Sequence, residues 1–211
     1  MIERISIAED GAEAARSALE RCVASGGIAV FPADGLYGLA CDPLNEQAVD
    51  RIQGLKGRED RKPSAVMYFS PLAMRELVEG MGPRTREAVA ALLPGPVTLV
   101  IANPDRRYPL ACREDPKRLG LRLIEGPLAG AMTPVFQTSA NRSGETAPPR
   151  FADLGEEILA SADLAIDGGE LPGAPSTVVD ITRFDEEGGW KLLRKGGLAR
   201  EALEAALGNP S

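Results

Sequence analysis

The segment from Ala12 to Pro32, AEAARSALERCVASGGIAVFP, places a helix, a turn and a strand in direct succession. Apolar residues recur at helical spacing between Ala15 and Val23, and Gly26-Gly27 ends that pattern. The run from Ile28 to Phe31 is entirely apolar and stops at proline, which is typical of a buried strand. A helix followed at once by a buried strand indicates a layered α/β fold.

Helices and strands alternate through the first half of the chain, and short strands dominate the second half. Asn45 is a predicted N-cap for a helix that ends at Lys56-Gly57-Arg58, and Ser70-Pro71 begins another helix. Further helices are predicted at 84–93 and 199–207, and strands at 65–69, 97–102, 119–124, 135–138, 164–166, 178–181 and 191–193. The pattern predicts a single domain over residues 1–211, with a core of about 12–197 and a short C-terminal helix at 199–207. We expect an open mixed sheet with flanking helices.

The chain contains no histidine among its 211 residues. This absence excludes a Ser-His-Asp or Cys-His relay, an imidazole general base and the zinc sites that use histidine. Any chemistry must therefore depend on carboxylates, cations, hydroxyls and backbone amides. Cys22, Cys41 and Cys112 are odd in number and widely spaced, which favours reduced thiols over a disulfide or metal framework.

The formal net charge is −7, from 24 Lys plus Arg against 31 Asp plus Glu. This balance argues against a generic polyanion binder, since sequence-independent nucleic-acid affinity comes from basic residues. The excess of acids lies between Arg150 and Trp190, so basic clusters are allowed elsewhere. The N-terminus lacks the features of a signal peptide, and no apolar run reaches the length of a membrane span. The sequence predicts a cytoplasmic protein with no membrane partner.

Three regions combine strand ends with hydroxyl, amide or cationic groups. The first is the Pro32–Leu39 loop, joined through a helix to Lys56-Gly57-Arg58 and Arg61-Lys62-Pro63. The second is Thr138–Gly144, and the third combines Pro175–Asp180 with Leu193–Gly196. Each region alone is a weak signal, because turns and helix ends have similar compositions.

Taken together and in order, these pieces resemble the YrdC-like family of threonylcarbamoyl-AMP synthases in its short form. The most specific matches are the Lys-x-Arg pair at Lys56 and Arg58 and the Ser-x-Asn pair at Ser139 and Asn141. The other matching pieces are Tyr37-Gly38-Leu39, Pro94-Gly95-Pro96-Val97-Thr98, Gly120-Leu121-Arg122, Ser143-Gly144, Asp167-Gly168-Gly169, Pro175–Asp180 and Leu193-Arg194. The resemblance implies an open, twisted α/β sheet with a concave basic cavity.

The resemblance also implies an activity, the formation of threonylcarbamoyl-AMP and pyrophosphate from ATP, L-threonine and bicarbonate. Mg²⁺ would be held mainly through the ATP phosphates. A partner complex would transfer the threonylcarbamoyl group to the adenosine next to the anticodon of tRNA.

The family's site residues can be assigned to positions of this chain. Lys56 and Arg58 would be catalytic and contact the ATP phosphates, with Lys62, Ser139, Asn141 and Arg194 completing the ATP site. Arg122 would pair with the carboxylate of threonine, and Gly35, Tyr37 and Ser176 would complete the threonine pocket. Gly35 stands where many members of the family have threonine.

This chemistry suits a protein without histidine, because a carbamate forms unaided and reaches the α-phosphate already ionised. The site then has to position two anions and neutralise charge, which cations can do. Two alternatives remain open: a noncatalytic RNA-binding or ribosome-associated factor, which would bind tRNA or double-stranded RNA, and a paralogue that adenylates another carbamate. The acidic net charge and the intact Lys-x-Arg and Ser-x-Asn pairs favour the synthase.

Overall fold

A computed structural model describes residues 2–57 and 63–209. Within these ranges ten strands form one mixed sheet in the order β1-β8-β2-β3-β7-β4-β6-β5-β9-β10. The strands are β1 (Glu3–Ser6), β2 (Ala29–Pro32), β3 (Tyr37–Cys41), β4 (Ala65–Tyr68), β5 (Val97–Ala102), β6 (Arg118–Leu123), β7 (Val135–Ser139), β8 (Leu164–Asp167), β9 (Thr177–Asp180) and β10 (Lys191–Arg194). Parallel and antiparallel neighbours are mixed, which confirms the predicted fold class.

Nine α-helices and one 3₁₀ turn connect the strands in the described ranges. The helices are α1 (Ile7–Asp10), α2 (Ala12–Ala24), α3 (Glu46–Lys56), α4 (Pro71–Glu79), α5 (Pro83–Leu92), α6 (Pro109–Cys112), α7 (Glu156–Ala160), α8 (Phe184–Glu187) and α9 (Arg200–Leu207), and the 3₁₀ turn is Phe151–Asp153. None of these helices is both long and apolar enough to cross a membrane.

Local capping chemistry explains why two helices begin where the sequence predicts. The Asn45 side chain accepts a hydrogen bond from the Ala48 amide at the start of α3. Ser70 does the same for the Leu72 amide at the start of α4, and Pro71 occupies the first turn of that helix. These contacts satisfy amides that have no partner within the helix.

The two faces of the sheet are covered differently. One face is packed along its length by residues such as Ile52 of α3, Val89 of α5 and Leu203 of α9, which share one apolar cluster. A second cluster, containing Leu19 of α2 and Phe31 of β2, covers part of the opposite face. Alternate residues of a strand face opposite sides. The rest of this second face, over β4, β6, β5 and β9, carries a cavity.

Two strands lie where the sequence analysis placed none. β3 falls in the predicted Pro32–Leu39 loop, yet it is fully buried and pairs with both β2 and β7. A four-residue connection, residues 33–36, joins β2 to β3 and reverses the chain direction. β1 is a short, partly exposed edge strand that pairs only with β8 among the described strands.

The connection from β8 to β9 passes from one half of the sheet to the other. Six strands separate β8 from β9 in the sheet order. Gly168 at the start of this connection packs on Pro32, the Gly173 amide donates to the Gly35 carbonyl at 2.8 Å, and the Pro175 carbonyl accepts from Gly197. The last part of this connection of residues 168–176, from Gly173 to Ser176, thereby lines one wall of the cavity.

Candidate functional site

A cavity of about 660 Å³ opens on the concave face, a size in the range of small-molecule sites. Its walls come from seven strands and from the loops at their ends. Seven of the predicted site residues line it: Gly35, Tyr37, Arg122, Ser139, Asn141, Ser176 and Arg194. Since these residues are spread over much of the chain, only the folded sheet brings them together.

Lys56, the first residue of the Lys-x-Arg pair, contacts both residues of the Ser-x-Asn pair at one end of the cavity. Its side chain is buried, and Nζ donates to the Ser139 carbonyl at 3.0 Å, to Ser139 Oγ at 3.3 Å and to the Asn141 carbonyl at 3.1 Å. The Ser143 amide donates in turn to the Lys56 carbonyl. Ser139 and Asn141 line the cavity, so Lys56 supports this loop.

Asn141 presents an atom suited to a ligand. Its Nδ2 donates to the carbonyls of Arg142 and Glu145, both at 2.7 Å. Its Oδ1 is buried and has no hydrogen-bond partner among the described residues. Buried polar atoms are nearly always paired, so this acceptor suits a donor supplied from outside the chain. Arg58 and Lys62, the other predicted phosphate ligands, lie outside the described residues.

Arg122 lies at the other end of the cavity and is almost fully buried, with 6 % of its side chain exposed. Nη1 donates to the Ala33 carbonyl and to Gln137 Oε1, and Nη2 faces Asp34 Oδ2, each at 3.4 Å. Nε has no partner in the described part of the chain. Burial lowers the pKa of Arg122 to about 10, while Asp34 opposes that shift and nearby Arg194 adds to it.

Arg194 and Ser176 form a hydrogen-bonded group beside Arg122. Arg194 donates from Nε and Nη2 to the Ser176 carbonyl and from Nη2 to Ser176 Oγ. Ser176 Oγ also lies 2.8 Å from Thr98 Oγ1. Two guanidinium groups and two hydroxyls therefore share one side of the cavity, an arrangement suited to anionic oxygens.

Tyr37 and Gly35 contribute to the wall rather than presenting functional groups to the cavity. The Tyr37 hydroxyl accepts from the Gly168 amide at 2.9 Å and donates to the Gly169 carbonyl at 2.8 Å, and burial raises its pKa to about 12. A Cβ built on Gly35 would lie 1.9 Å from the Ala174 carbonyl oxygen. The Ala174 carbonyl of the 168–176 connection thus occupies the space that a side chain at position 35 would need.

Several polar residues of the cavity escaped the sequence analysis. The side chains concerned are Ser64, Thr98, Asp115, Arg118, Gln137, Glu145 and Thr146. The alternation of side chains along a strand could have indicated two of them, Arg118 and Gln137. Arg118 faces the same side of β6 as Arg122, and Gln137 lies two residues before Ser139 on β7. Arg118 is paired with Asp180 at 2.5 Å and with Asp115 at 3.9 Å.

The described residues contain no group of three His, Cys, Asp or Glu side chains that could hold a metal ion alone. Two carboxylates, Asp115 and Glu145, line the cavity. Mg²⁺ prefers oxygen ligands and commonly uses one or two carboxylates together with substrate phosphates. The donor set fits Mg²⁺ carried by a bound nucleotide.

The sheet and its cavity define a class of α/β protein with an arginine-lined cavity on one face of a mixed sheet. The chain matches the Sua5, YciO and YrdC family, whose description is telomere recombination, over residues 21–196. The chain belongs to this family.

Two relatives that are similar to this chain differ in their own lengths. A threonylcarbamoyl-AMP synthase of Pyrococcus abyssi is 31 % identical over 196 residues, which cover 88 % of this chain and 55 % of that protein. A threonylcarbamoyl-AMP synthase of Methylobacillus flagellatus is 31 % identical over 173 residues, covering 78 % of this chain and 93 % of that protein. The chain therefore spans little more than half of the first relative and nearly all of the second.

Two solved structures are similar in fold. The crystal structure of P. abyssi Sua5 complexed with L-threonine superposes with a TM-score of 0.83 at 27 % identity, over 99 % of this chain and 61 % of that one. The crystal structure of E. coli YciO superposes with a TM-score of 0.78 at 22 % identity, over 96 % and 98 % of the two chains. At 22 % identity, the similarity to YciO concerns the fold alone.

Proposed function

We propose that this protein is a threonylcarbamoyl-AMP synthase that uses ATP, L-threonine and bicarbonate. One observation carries the proposal: a nearly buried arginine with an unpartnered Nε, Arg122, lines the same cavity as the Ser139–Asn141 loop. The cavity thus offers a carboxylate site and a phosphate site on one surface. The names of the relatives, and the threonine in the P. abyssi Sua5 structure, support the same activity.

The nucleotide would bind at the Ser139–Asn141 end of the cavity. Ser139 Oγ would contact phosphate or ribose oxygens, and Asn141 Oδ1 would accept a hydrogen bond from a ribose hydroxyl or a base amino group, with Lys56 holding their loop and its charge close by. Arg58 and Lys62 would add cations from the neighbouring segment. Arg194 would contact the nucleotide from the opposite wall, where its guanidinium suits paired phosphate oxygens.

The amino acid would bind at the Arg122 end. The Nε and Nη2 edge of a guanidinium can hold a carboxylate through two parallel hydrogen bonds. Ser176 and Thr98 place two hydroxyls nearby, and these would contact the polar groups of threonine. The 168–176 connection, through Ala174, would limit the space for the amino-acid side chain.

The reaction would proceed by positioning and charge neutralisation. A carbamate oxygen of N-carboxythreonine attacks the α-phosphorus, the bond to the β-phosphate breaks, and pyrophosphate leaves. No general base is needed, because the nucleophile is already an anion. Cationic side chains would stabilise the charge that develops on the phosphates. Mg²⁺ would supply further charge neutralisation at the phosphates, with Asp115 or Glu145 as its protein ligand.

The product would be consumed by a threonylcarbamoyl transferase complex that modifies tRNA next to the anticodon. The observations do not favour RNA binding as the main activity, since the cavity has the dimensions of a small-molecule site. The same observations are compatible with a different amino acid as the substrate. At position 35 the pocket wall is formed by a glycine and by the 168–176 connection instead of by a side chain.

Pyrophosphate release tests the proposal. The protein is incubated with ATP, Mg²⁺, bicarbonate and one of several amino acids, and each component is withheld in turn. We expect release with threonine that disappears without bicarbonate. Release with a different amino acid would identify a paralogue that adenylates another carbamate. No release with any amino acid, together with salt-sensitive RNA binding, would overturn the synthase assignment.

A further inference from the structure

The hydrogen bonds of Arg122 are poor for a buried charge. Each of its three contacts measures 3.4 Å, longer than the usual range for N–H···O bonds. Nε finds no partner within residues 2–57 and 63–209. A buried guanidinium is costly unless it is well paired and fully hydrogen-bonded. The site is therefore built for a better anionic partner than the chain itself provides.

Asp34 is the carboxylate that faces Arg122, and its backbone is strained. It lies in the four-residue connection between β2 and β3, with φ at +79°. Glycine ordinarily fills a turn position of this kind, and an aspartate tolerates it at some cost. The Asp34 side chain is 32 % exposed, and it meets Arg122 only at Nη2. Strain of this sort is often kept where a side chain has a functional role.

We infer that Asp34 is an internal carboxylate that pairs with Arg122 and is displaced when the carboxylate of the amino-acid substrate binds. The inference rests on the proposed function, because it takes the substrate to be an amino acid bound by Arg122. Two carboxylates would compete for one guanidinium. The substrate can form two parallel hydrogen bonds to the Nε and Nη2 edge, whereas Asp34 forms one long contact.

The displacement lowers substrate affinity, because the Asp34–Arg122 pair must break before the new pair forms. Asp34 is thereby a positioning residue that acts through Arg122. It also excludes weakly held anions from the pocket, since only a ligand with a well-placed carboxylate can replace it. Removing the Asp34 charge should therefore tighten the binding of threonine and leave the binding of a ligand without a carboxylate unimproved.

Calorimetric titration of L-threonine and L-threoninol into the full-length protein and its variants tests this inference. Asp34→Asn keeps the size of the side chain and tolerates the same φ. We expect it to lower the threonine Kd by about twofold to fivefold, the range for a partly exposed ion pair. The threoninol Kd should not fall. Asp34→Gly, which suits the turn and also lacks the carboxylate, should give the same result.

Asp180→Asn is the matched control, because it breaks an Asp–Arg pair at the other end of the same cavity. It should leave the threonine Kd unchanged. A threonine Kd that stays constant or rises in both Asp34 variants overturns the displacement while the proposed substrate stands. If neither wild type nor variant binds threonine, the proposed substrate and the displacement fail together.

Discussion

The ammonium group of Lys56, the last residue of α3, donates hydrogen bonds to both the carbonyl and the hydroxyl of Ser139, the last residue of β7. Lys56, the first residue of the Lys-x-Arg pair, therefore meets the Ser-x-Asn pair in space. One consequence is that Lys56 has two roles, since it contributes charge to the proposed phosphate site and fixes the loop that lines it.

Lys56→Ala should impair both function and stability. The carbonyls of Ser139 and Asn141 would lose a charged donor, which we expect to lower the free energy of unfolding by about 1–3 kcal/mol. Pyrophosphate release should fall at least about tenfold, since a positioned cation of the phosphate site is lost. Urea unfolding and the release assay measure the two effects. Lys191→Ala, at an exposed position of β10, should change neither. Wild-type turnover in Lys56→Ala would refute the phosphate assignment.

Gly35→Ala should be destabilising because of one close approach. The new Cβ would lie 1.9 Å from the Ala174 carbonyl oxygen, so the 168–176 connection would have to move. We expect a loss of about 1–3 kcal/mol in the free energy of unfolding, typical of overpacking. Gly54→Ala is the control, because no described atom lies within 4 Å of its Cβ position in α3. That change should stabilise the protein slightly. Equal stabilities of the two variants would contradict the close approach.

Tyr37→Phe separates a structural role from a substrate contact. The Gly168 amide would lose its acceptor and the Gly169 carbonyl its donor, so stability should fall by about 1–2 kcal/mol. The KM for threonine should change less than about twofold, because the hydroxyl is already engaged within the chain. A large rise in this KM at unchanged stability would instead place the hydroxyl on the substrate.

Buried thiols should make the protein sensitive to alkali. Burial raises the pKa of Cys22 to about 11 and that of Cys41 to about 12, from 9.0. Above pH 9 the unfolded chain releases these protons while the folded chain retains them, so stability falls as the pH rises. The slope is up to about 1.4 kcal/mol per pH unit for each thiol. Urea unfolding between pH 8 and 10 under reducing conditions measures it. An unchanged slope in the Cys22→Ala, Cys41→Ala double variant would exclude the thiols as its source.

Local signals predicted the five longest described helices and most strands, because capping and apolar periodicity act over a few residues, whereas the four short helices α1, α6, α7 and α8 were not predicted. Asn45 and Ser70 cap the helices that they were expected to begin. The β3 strand was missed because Gly38 and the preceding Gly35 and Pro32 resemble a loop, whereas one of its two pairing partners, β7, lies far away in sequence.

The candidate site was predictable in part. Arg122 and Ser139 could be assigned from the resemblance to the family, and both line the cavity. The contact between Gly35 and Ala174 could not be predicted, because it depends on the order of strands in the sheet. The same is true of the Asp34–Arg122 pair, which forms between a turn and a distant strand.

The connection between β8 and β9 links two distant strands of the sheet by a single stretch of backbone. The ten residue steps from Asp167 to Thr177 can reach at most about 36 Å, while seven strand spacings cover about 34 Å along the sheet. With so little slack, the two halves of the sheet cannot move apart unless the connection becomes almost fully extended. The connection is therefore a covalent tether across the sheet face that carries the cavity.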